Sequence, residues 1–525
     1  MTETAIALAV PDVLDRRAAD DPDGIAINVD GGARLRYAAW AARSTAAAHA
    51  LRDAGVGRGQ RVALFFGAMD WIDYAIAYLA VLRAGATAVH LNDGLSRSEI
   101  ERRLKECAVS RIVHSAHLEP PAGFAGPTAT LAALDRGDQR PLDASIDPSD
   151  IADLHYTSGT TGPAKAYAVP HGNLTFGRNL AAFRDFGGNA SYMLVPMPLG
   201  TGTSATCVNA ALAAPATSVV CWPDDVERMA ELIQQLRIGS IAITPWIAIR
   251  MIAAGIQDRY DLSSVRMVFS ASAPLPPAVA LAVLRAMPGA RLTSACSQSE
   301  AGPALLVDVF DASRPLSVGR PSPLTELQVV DGRGEPVPAG EVGEIWLRHP
   351  APKRLYLDPE LNRGILTDGW YRTGDYGRIG PDDNLYFFDR DADLIRAGDR
   401  LVSTVEIEAV LYEHAAVREA AVFGASAGGS RPDVVAAVAL TDPAELPGVR
   451  AFAASRFAPH QAPGRFLVLP ALPRGQTGKV LKRELRQLVA VEAASRLADM
   501  PARSAGFPGQ PLMAGEVGDS TLHGR

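Results

Sequence analysis

Apolar positions in the first half of the chain gather in short runs spaced by stretches of mixed polarity. β-rich runs recur at RIVHS (111–115), SYMLVP (191–196), TSVVCW (217–222), SIAIT (240–244) and RMVFSA (266–271). Helix-like stretches such as DVERMAELIQQLR (225–237) lie between several of them, and YAIAYLAVLRA (74–84) is apolar enough to read as a buried helix. Strand, helix, strand at this spacing predicts parallel sheet covered by helices. In such sheets ligands bind beyond the carboxyl ends of the strands, so Gly-, Ser- and Thr-rich loops that follow strands are where chemistry is sought. From about residue 318 the pattern shifts to turn-rich antiparallel hairpins, as in VVDGRGEPVPAGEVGEIWLR with its Asp331-Gly332 turn. After residue 390 a smaller α+β pattern follows: helix VEIEAVLYEHAAV, strands EAAVFGA and DVVAAVAL, helix LPGVRAFAASRFA, strand GRFLVLPAL. The expected division is 1–389, 390–490, and an Ala-, Gly-, Ser- and Pro-rich tail over 491–525 that reads as a frayed helix and then disorder.

The 525 residues leave room for about three structural units. With 48% hydrophobic and 21% charged residues, disorder as the main state is excluded. A net charge of -7 argues against a chain that coats nucleic acid or an anionic membrane. Cys107, Cys207, Cys221 and Cys296 are far apart and show no CxxC spacing. That excludes a disulfide scaffold or zinc ribbon and points to a reducing compartment. The opening MTETAIALAVPDVLDRR lacks a basic region before its apolar run, so a cytoplasmic location without a targeting segment is expected. The charge-free stretch 186–223 is broken by Gly, Pro, Ser, Thr and Asn, and reads as buried core beside a pocket rather than a membrane span.

The strongest local signal is LHYTSGTTGPAKA (154–166): six of the seven residues 157–163 are Gly, Ser or Thr, and Lys165 follows. Glycines let backbone amides approach an anion, hydroxyls donate to phosphate oxygens and lysine adds charge. A surface turn of small polar residues is the plainer reading. A Walker loop needs Gly before the lysine and Ser or Thr after it, whereas here Ala164 and Ala166 flank it.

YTSGTTG followed by lysine resembles the phosphate loop of the acyl-adenylate-forming superfamily, which includes acyl- and aryl-CoA ligases, peptide-synthetase adenylation domains and luciferases. Further segments resemble the family's motifs in its order: FSASAPL (269–275), SQSE (297–300), GEIWLR (343–348), YRTGD (371–375), Arg390, VEIE (405–408) and PRGQTGK (473–479). The likeness spans about residues 10–490. It implies an α/β fold: a large N-terminal domain of two parallel-type α/β subdomains with a small β-barrel-like part, and a small mobile α+β C-terminal domain.

By the same resemblance the substrates are a carboxylic acid, ATP (or a supplied acyl-AMP) and coenzyme A, with Mg2+. Thr157, Ser158, Gly159, Thr160, Thr161, Gly162 and Lys165 would hold the phosphates. Ser272, Ala273, Pro274, Cys296 and Ser297 would take the adenine side, and Asp375 with Arg390 the ribose. Glu300 with Thr160 would ligate the metal, Asp391 and Ala392 would form the hinge, and Lys479 would bridge carboxylate and α-phosphate. The acid would lie among Leu199, Gly200, Thr201, Trp246, Ile247 and Ala271. Charge must be neutralised because both reactants are anions, and lysine is a compact cation on a long stem.

The chain also departs from the family's pattern. Pro163-Ala164-Lys165-Ala166 replaces the usual x-Pro-Lys-Gly, which is expected to stiffen the loop and crowd the anion. Cys296-Ser297 replaces Tyr-Gly, so an aromatic shelf for adenine is missing, and Pro198-Leu199 replaces an aromatic-His pair. Asp389-Arg390-Asp391-Ala392 stands at the hinge, and Asp399 replaces the second glycine after Gly398. The expected activity is CoA thioester formation on a bulky hydrophobic acid. The alternatives are a half-enzyme that takes acyl-adenylate from a separate adenylating enzyme, carrier-protein loading or amide ligation, and a non-catalytic binder. Arg396 and Arg431 are candidate partners for CoA phosphates.

Overall fold

Register decides which residues reach the edge of each sheet. In the computed structural model, which describes residues 7–142, 145–157, 164–176, 191–398, 400–425, 433–475 and 478–498, two large sheets carry the N-terminal part. The seven-stranded sheet runs in the order Leu355–Tyr356, Ala166–Pro170, Ile151–Tyr156, Thr87–Asn92, Arg61–Phe66, Arg111–His114, Thr128–Thr130. Its pairings are parallel from Ile151–Tyr156 to Thr128–Thr130, and antiparallel where Ala166–Pro170 and Leu355–Tyr356 join.

The second sheet has a parallel half built from Ile25–Val29, Thr217–Val220, Tyr192–Leu194, Ser240–Ile243, Met267–Ser270 and Arg291–Cys296. The sheet then continues without a break into antiparallel strands: Leu306–Val309, Ser317–Pro321, Leu385–Arg390, Trp370–Ile379, Gly343–Arg348 and Glu326–Val330. The two parallel α/β units thus match the expectation. The expected barrel-like part is an open antiparallel extension of the second sheet, with no closing pair among the described residues. Hairpins pair each strand only with its neighbours here, so the sheet coils without sealing.

The helix Trp71–Arg83 is buried on every side apart from Ile72 and Asp73. Such a helix belongs between layers, not on a surface. With Tyr37–Asp53 it supplies Trp40, Trp71, Tyr74 and Tyr78 to the main core.

The small domain has its own core. The strand Val417–Ala425 pairs antiparallel with Asp433–Leu440, which pairs in parallel with Arg465–Val468. One face packs Ile407, Leu411, Val422, Val438 and Val449, and the other packs Phe423, Leu472, Leu485 and Val489. The helix Lys482–Ala498 runs past residue 490, and residues 499–525 lie outside the described residues. No helix of the described residues is long and apolar enough to cross a membrane.

Candidate active site

A cavity of about 260 Å³ lies where the parallel strands of the second sheet end and the small domain meets them. Segments far apart in sequence deliver its walls. Ser272, Ala273 and Pro274 follow the strand Met267–Ser270; Cys296 ends Arg291–Cys296, and Ser297 follows it. Asp375 and Arg390 face each other across the antiparallel pair Trp370–Ile379 and Leu385–Arg390. Trp246 stands at the start of the helix Pro245–Ala253, and Lys479 comes from the small domain. Ser272 sits at φ +82°, a left-handed conformation that a non-glycine residue rarely adopts outside functional turns.

Asp375 is 6% exposed, and its Oδ1 has no hydrogen-bond partner. Arg390 Nε stands 3.4 Å from that oxygen. Burial pushes the carboxyl upward, and Arg390 pulls the other way. A buried carboxylate oxygen left open beside a cavity fits a pair of sugar hydroxyls, which would supply the missing donors.

Lys479 closes a tight loop in which Gly475 N donates to Lys479 O and Gly478 N to Gly475 O, both at 2.9 Å. Gly478 sits at φ +78°, and a Cβ there would lie 2.8 Å from Trp246 Cβ. Only glycine lets this loop seat against the tryptophan. Arg474 completes the clasp: its guanidinium lies 4.0 Å from the Trp246 ring centroid, pairs with Glu419 at 2.7 Å and donates to Gly478 O at 2.6 Å. Burial and the neighbouring Arg390 lower the Lys479 amine to about 8.

The neck of the phosphate loop is fastened by two reciprocal bonds: Thr157 N to Lys165 O at 3.0 Å, and Lys165 N to Thr157 Oγ1 at 3.1 Å. Ser158, Gly159, Thr160, Thr161 and Gly162 lie outside the described residues. Glu300 accepts the Tyr356 hydroxyl, and Lys165 Nζ lies 5.6 Å from the centre of the same ring. An acidic oxygen and a cation thus stand together at the loop's neck. Oxygen donors of this kind suit Mg2+ on a phosphate chain.

The candidate acid residues scatter. Trp246 lines the cavity, as do the apolar Ile249, Leu275, Phe310 and Leu316. Leu199 is fully buried in the main core and its carbonyl accepts from Asn92. Gly200, at φ +76°, runs against the Leu91 backbone, leaving 2.1 Å between its absent Cβ and Leu91 O. Thr201 caps the helix Gly202–Ala213, Ile247 packs into the second core, and Ala271 N donates to Ile243 O at 3.4 Å.

At the expected hinge, Asp391 pairs with Arg396 at 2.7 Å and Ala392 O accepts from Arg486 at 3.2 Å. Arg396 is therefore engaged in this arrangement, and Arg431 lies outside the described residues.

Several groups escaped the sequence reading. Lys482 lines the cavity and is paired with Glu408 at 2.8 Å and bonded to Thr404 Oγ1 at 2.9 Å. Asp389 is raised to about 6 by burial, against the pull of Lys482. Tyr356 reaches Glu300 only because the two-residue strand Leu355–Tyr356 pairs with Ala166–Pro170. No local pattern announces these contacts.

The family model described as AMP-binding enzyme matches residues 14–357, and that of the AMP-binding enzyme C-terminal domain matches 406–479. A feruloyl-CoA synthase from Amycolatopsis sp is 30% identical over 494 residues, covering 90% of this chain and 97% of the relative. 4-Coumarate–CoA ligase 5 of Oryza sativa subsp. japonica is 29% identical over 523 residues, covering 92% and 96%. Among solved structures, the amide bond synthetase McbA of Marinactinospora thermotolerans superposes with a TM-score of 0.80 at 27% identity, covering 92% of this chain and 100% of that one.

Proposed function

Because the chain belongs to the AMP-binding enzyme family, we propose that it is an ATP-dependent acid–CoA ligase that works through an acyl-adenylate and takes a bulky, hydrophobic carboxylic acid. The observation that carries this reading is the convergence of Asp375, Arg390, Cys296, Trp246 and Lys479 on one cavity, from two domains. The ligase names of the relatives support it.

In the first half-reaction a carboxylate oxygen attacks the α-phosphorus, forming a C–O–P link, and pyrophosphate leaves with the electron pair of the broken P–O bond. Both partners are anionic, so alignment and charge neutralisation are most of the task. Lys479 supplies a cation between acid and α-phosphate. Asp375 accepts from the ribose hydroxyls, and Arg390 orients that carboxylate from 3.4 Å. Glu300 and Thr160 would hold Mg2+, whose contribution is to neutralise the phosphate oxygens. Lys165, fixed at the loop neck by Thr157, takes the pyrophosphate side.

In the second half-reaction the thiol sulfur of coenzyme A attacks the acyl carbon and AMP leaves. Residues 1–389 are read as the platform and 390–490 as the part that pivots about Asp391 and Ala392, withdrawing Lys479. The apolar wall of Trp246, Ile249, Leu275, Phe310 and Leu316 suits an aryl or other bulky acid. Of the carboxylates on the same cavity, Asp308 is paired with Arg314 at 3.1 Å and Glu408 with Lys482 at 2.8 Å.

The test is a screen of aryl and aliphatic acids with ATP, Mg2+ and CoA, read as AMP and thioester by mass spectrometry, with ATP–pyrophosphate exchange run beside it. Thioester and exchange with the same acid support the reading. Thioester only from preformed acyl-adenylate would make the protein a half-enzyme, an amide in place of the thioester would make it an amide ligase, and no product at all would leave a binder.

A further inference from the structure

The first sheet buries, on one face, three side chains with atoms able to ligate a metal, none of which lines the cavity described above. Strands Thr87–Asn92 and Ile151–Tyr156 run in parallel, with Ala88 opposite Asp153 and Val89 opposite Leu154. Residues two apart on a strand share a face, so this register gathers His90, Asp153 and His155. Tyr167 stands opposite His155 on the next strand, and the helix Trp71–Arg83 lays Tyr74 and Tyr78 over the group. His90 is 3% exposed, His155 2% and Asp153 0%.

Each of the three engages a phenol through one atom. Tyr74 OH is 2.8 Å from His90 Nδ1, and Tyr167 OH is 3.4 Å from His155 Nδ1. Tyr78 donates to Asp153 Oδ2 at 3.0 Å while accepting from Asn209 Nδ2 at 3.2 Å. The atoms left over are His90 Nε2, His155 Nε2 and Asp153 Oδ1, all buried without a hydrogen-bond partner. They nevertheless crowd together. His90 Nε2 is 3.2 Å from Asp153 Oδ1, His155 Nε2 is 3.2 Å from Asp153 Oδ2, and one ligand atom from each residue falls within 4.8 Å of the others.

A carboxylate cut off from water needs a compensating cation. Two ligands each about 2.1 Å from a tetrahedral zinc ion are about 3.4 Å apart, close to the 3.2 Å of the two histidine–carboxylate pairs. An imidazole fixed through its second nitrogen by an outer partner is also how proteins orient metal-ligating histidines. We propose that His90, Asp153 and His155 hold one divalent metal ion, Zn2+ by its donor set of two imidazole nitrogens and one carboxylate oxygen. The ion acts as a structural clasp between two neighbouring strands. Because the group is closed to solvent, the ion enters as the chain folds. The clasp braces Ile151–Tyr156 immediately before that strand delivers Thr157 to the phosphate loop. It does not depend on the ligase reading. The rival occupant is a proton, giving an imidazolium–carboxylate–imidazole relay.

The experiment uses the full-length chain without a histidine tag. Elemental analysis after dialysis against EDTA is expected to show about one Zn2+ per chain, with a zinc X-ray absorption spectrum of nitrogen and oxygen ligands including imidazole. Protein unfolded with chelator is expected to regain its native circular dichroism and melting temperature when refolded with ZnSO4, and to fall short without it. His90→Gln and His155→Gln should each reduce the ion to a trace. A chain that carries only traces of metal and refolds equally well without Zn2+ would establish the relay and overturn the proposal. So would zinc that persists in both variants or shows sulfur ligands. Metal content and refolding are read on the unaltered protein, so they decide between ion and proton even where a variant fails to fold.

Discussion

Raising the pH should switch off the first half-reaction well before an ordinary lysine would lose its proton. Lys479 is lowered from 10.5 to about 8, chiefly by burial and then by Arg390, with Asp375 and Asp393 pulling the other way. The ammonium is the useful form, because it neutralises charge between two anions. It is present below about 8 and lost above. At about pH 9 only about a tenth of the free enzyme is charged, so kcat/KM for adenylation should lie about tenfold below its plateau and keep falling about tenfold per pH unit. The assay is ATP–pyrophosphate exchange across about pH 6 to 10, beside CoA transfer from preformed acyl-adenylate. Lys479→Arg, whose guanidinium stays charged throughout, should lower the plateau and remove the alkaline limb. A wild-type profile flat to about pH 10, or a limb that survives in the arginine variant, would refute the assignment. The stability linkage has a definite sign. Between about 8 and 10.5 the unfolded chain binds more protons at this residue, so Lys479 makes stability rise with pH across that window.

Three further outcomes follow from the same geometry. Asp375→Asn removes the charged acceptor that faces the cavity and should raise KM for ATP roughly ten- to a hundredfold in the exchange assay, with thermal stability little changed. Trp246→Ala breaks the 4.0 Å stack with Arg474 and the seat for Gly478. Adenylation kcat should fall roughly two- to thirtyfold, while thioester formation from supplied acyl-adenylate changes little. Lys482→Met strands Glu408 without its 2.8 Å partner. It should cost roughly 3–5 kcal/mol in urea unfolding.

What the sequence discloses is what short-range pattern controls. The runs at 217–222, 240–244 and 266–271 become the strands Thr217–Val220, Ser240–Ile243 and Met267–Ser270, because short, mostly apolar runs suit parallel strands covered on both faces. The structure brings Ser272, Cys296, Asp375, Arg390 and Lys479, all named by motif order, to one cavity. What the sequence does not disclose is long-range. Tyr356 meets Glu300 through a pairing between strands nearly two hundred positions apart, and Lys482 finds Glu408 only after the small domain folds. The reading of Leu199–Thr201 as pocket wall came from matching positions by motif. Leu199 faces the core instead, and Gly200 spends its freedom on passing close to the Leu91 backbone.

The altered phosphate loop shows why a departure from a family pattern has to be weighed by where the side chain goes. Alanine in place of glycine at 166 is expected, from sequence, to crowd a bound phosphate. In the fold Ala166 is 3% exposed and already belongs to the strand Ala166–Pro170, paired with Tyr156 and packed with Phe65, Leu91 and Leu154. Its methyl group is spent on the core, where apolar burial favours it. The carbonyl of Ala164 accepts from Arg102 at 3.2 Å, and the reciprocal bonds between Thr157 and Lys165 hold the neck beneath it. At Ala164 and Ala166 the changes therefore fall at the root of the loop, and Pro163 lies outside the described residues. Cys296 is a different case. It lines the cavity, and burial pushes its thiol up to about 12, so on the proposed function it would offer adenine a small neutral wall in place of a ring. A missing shelf weakens nucleotide affinity without removing any group that aligns the reactants. The expected signature is thus a raised KM for ATP with exchange retained, which a half-enzyme lacking adenylation cannot show.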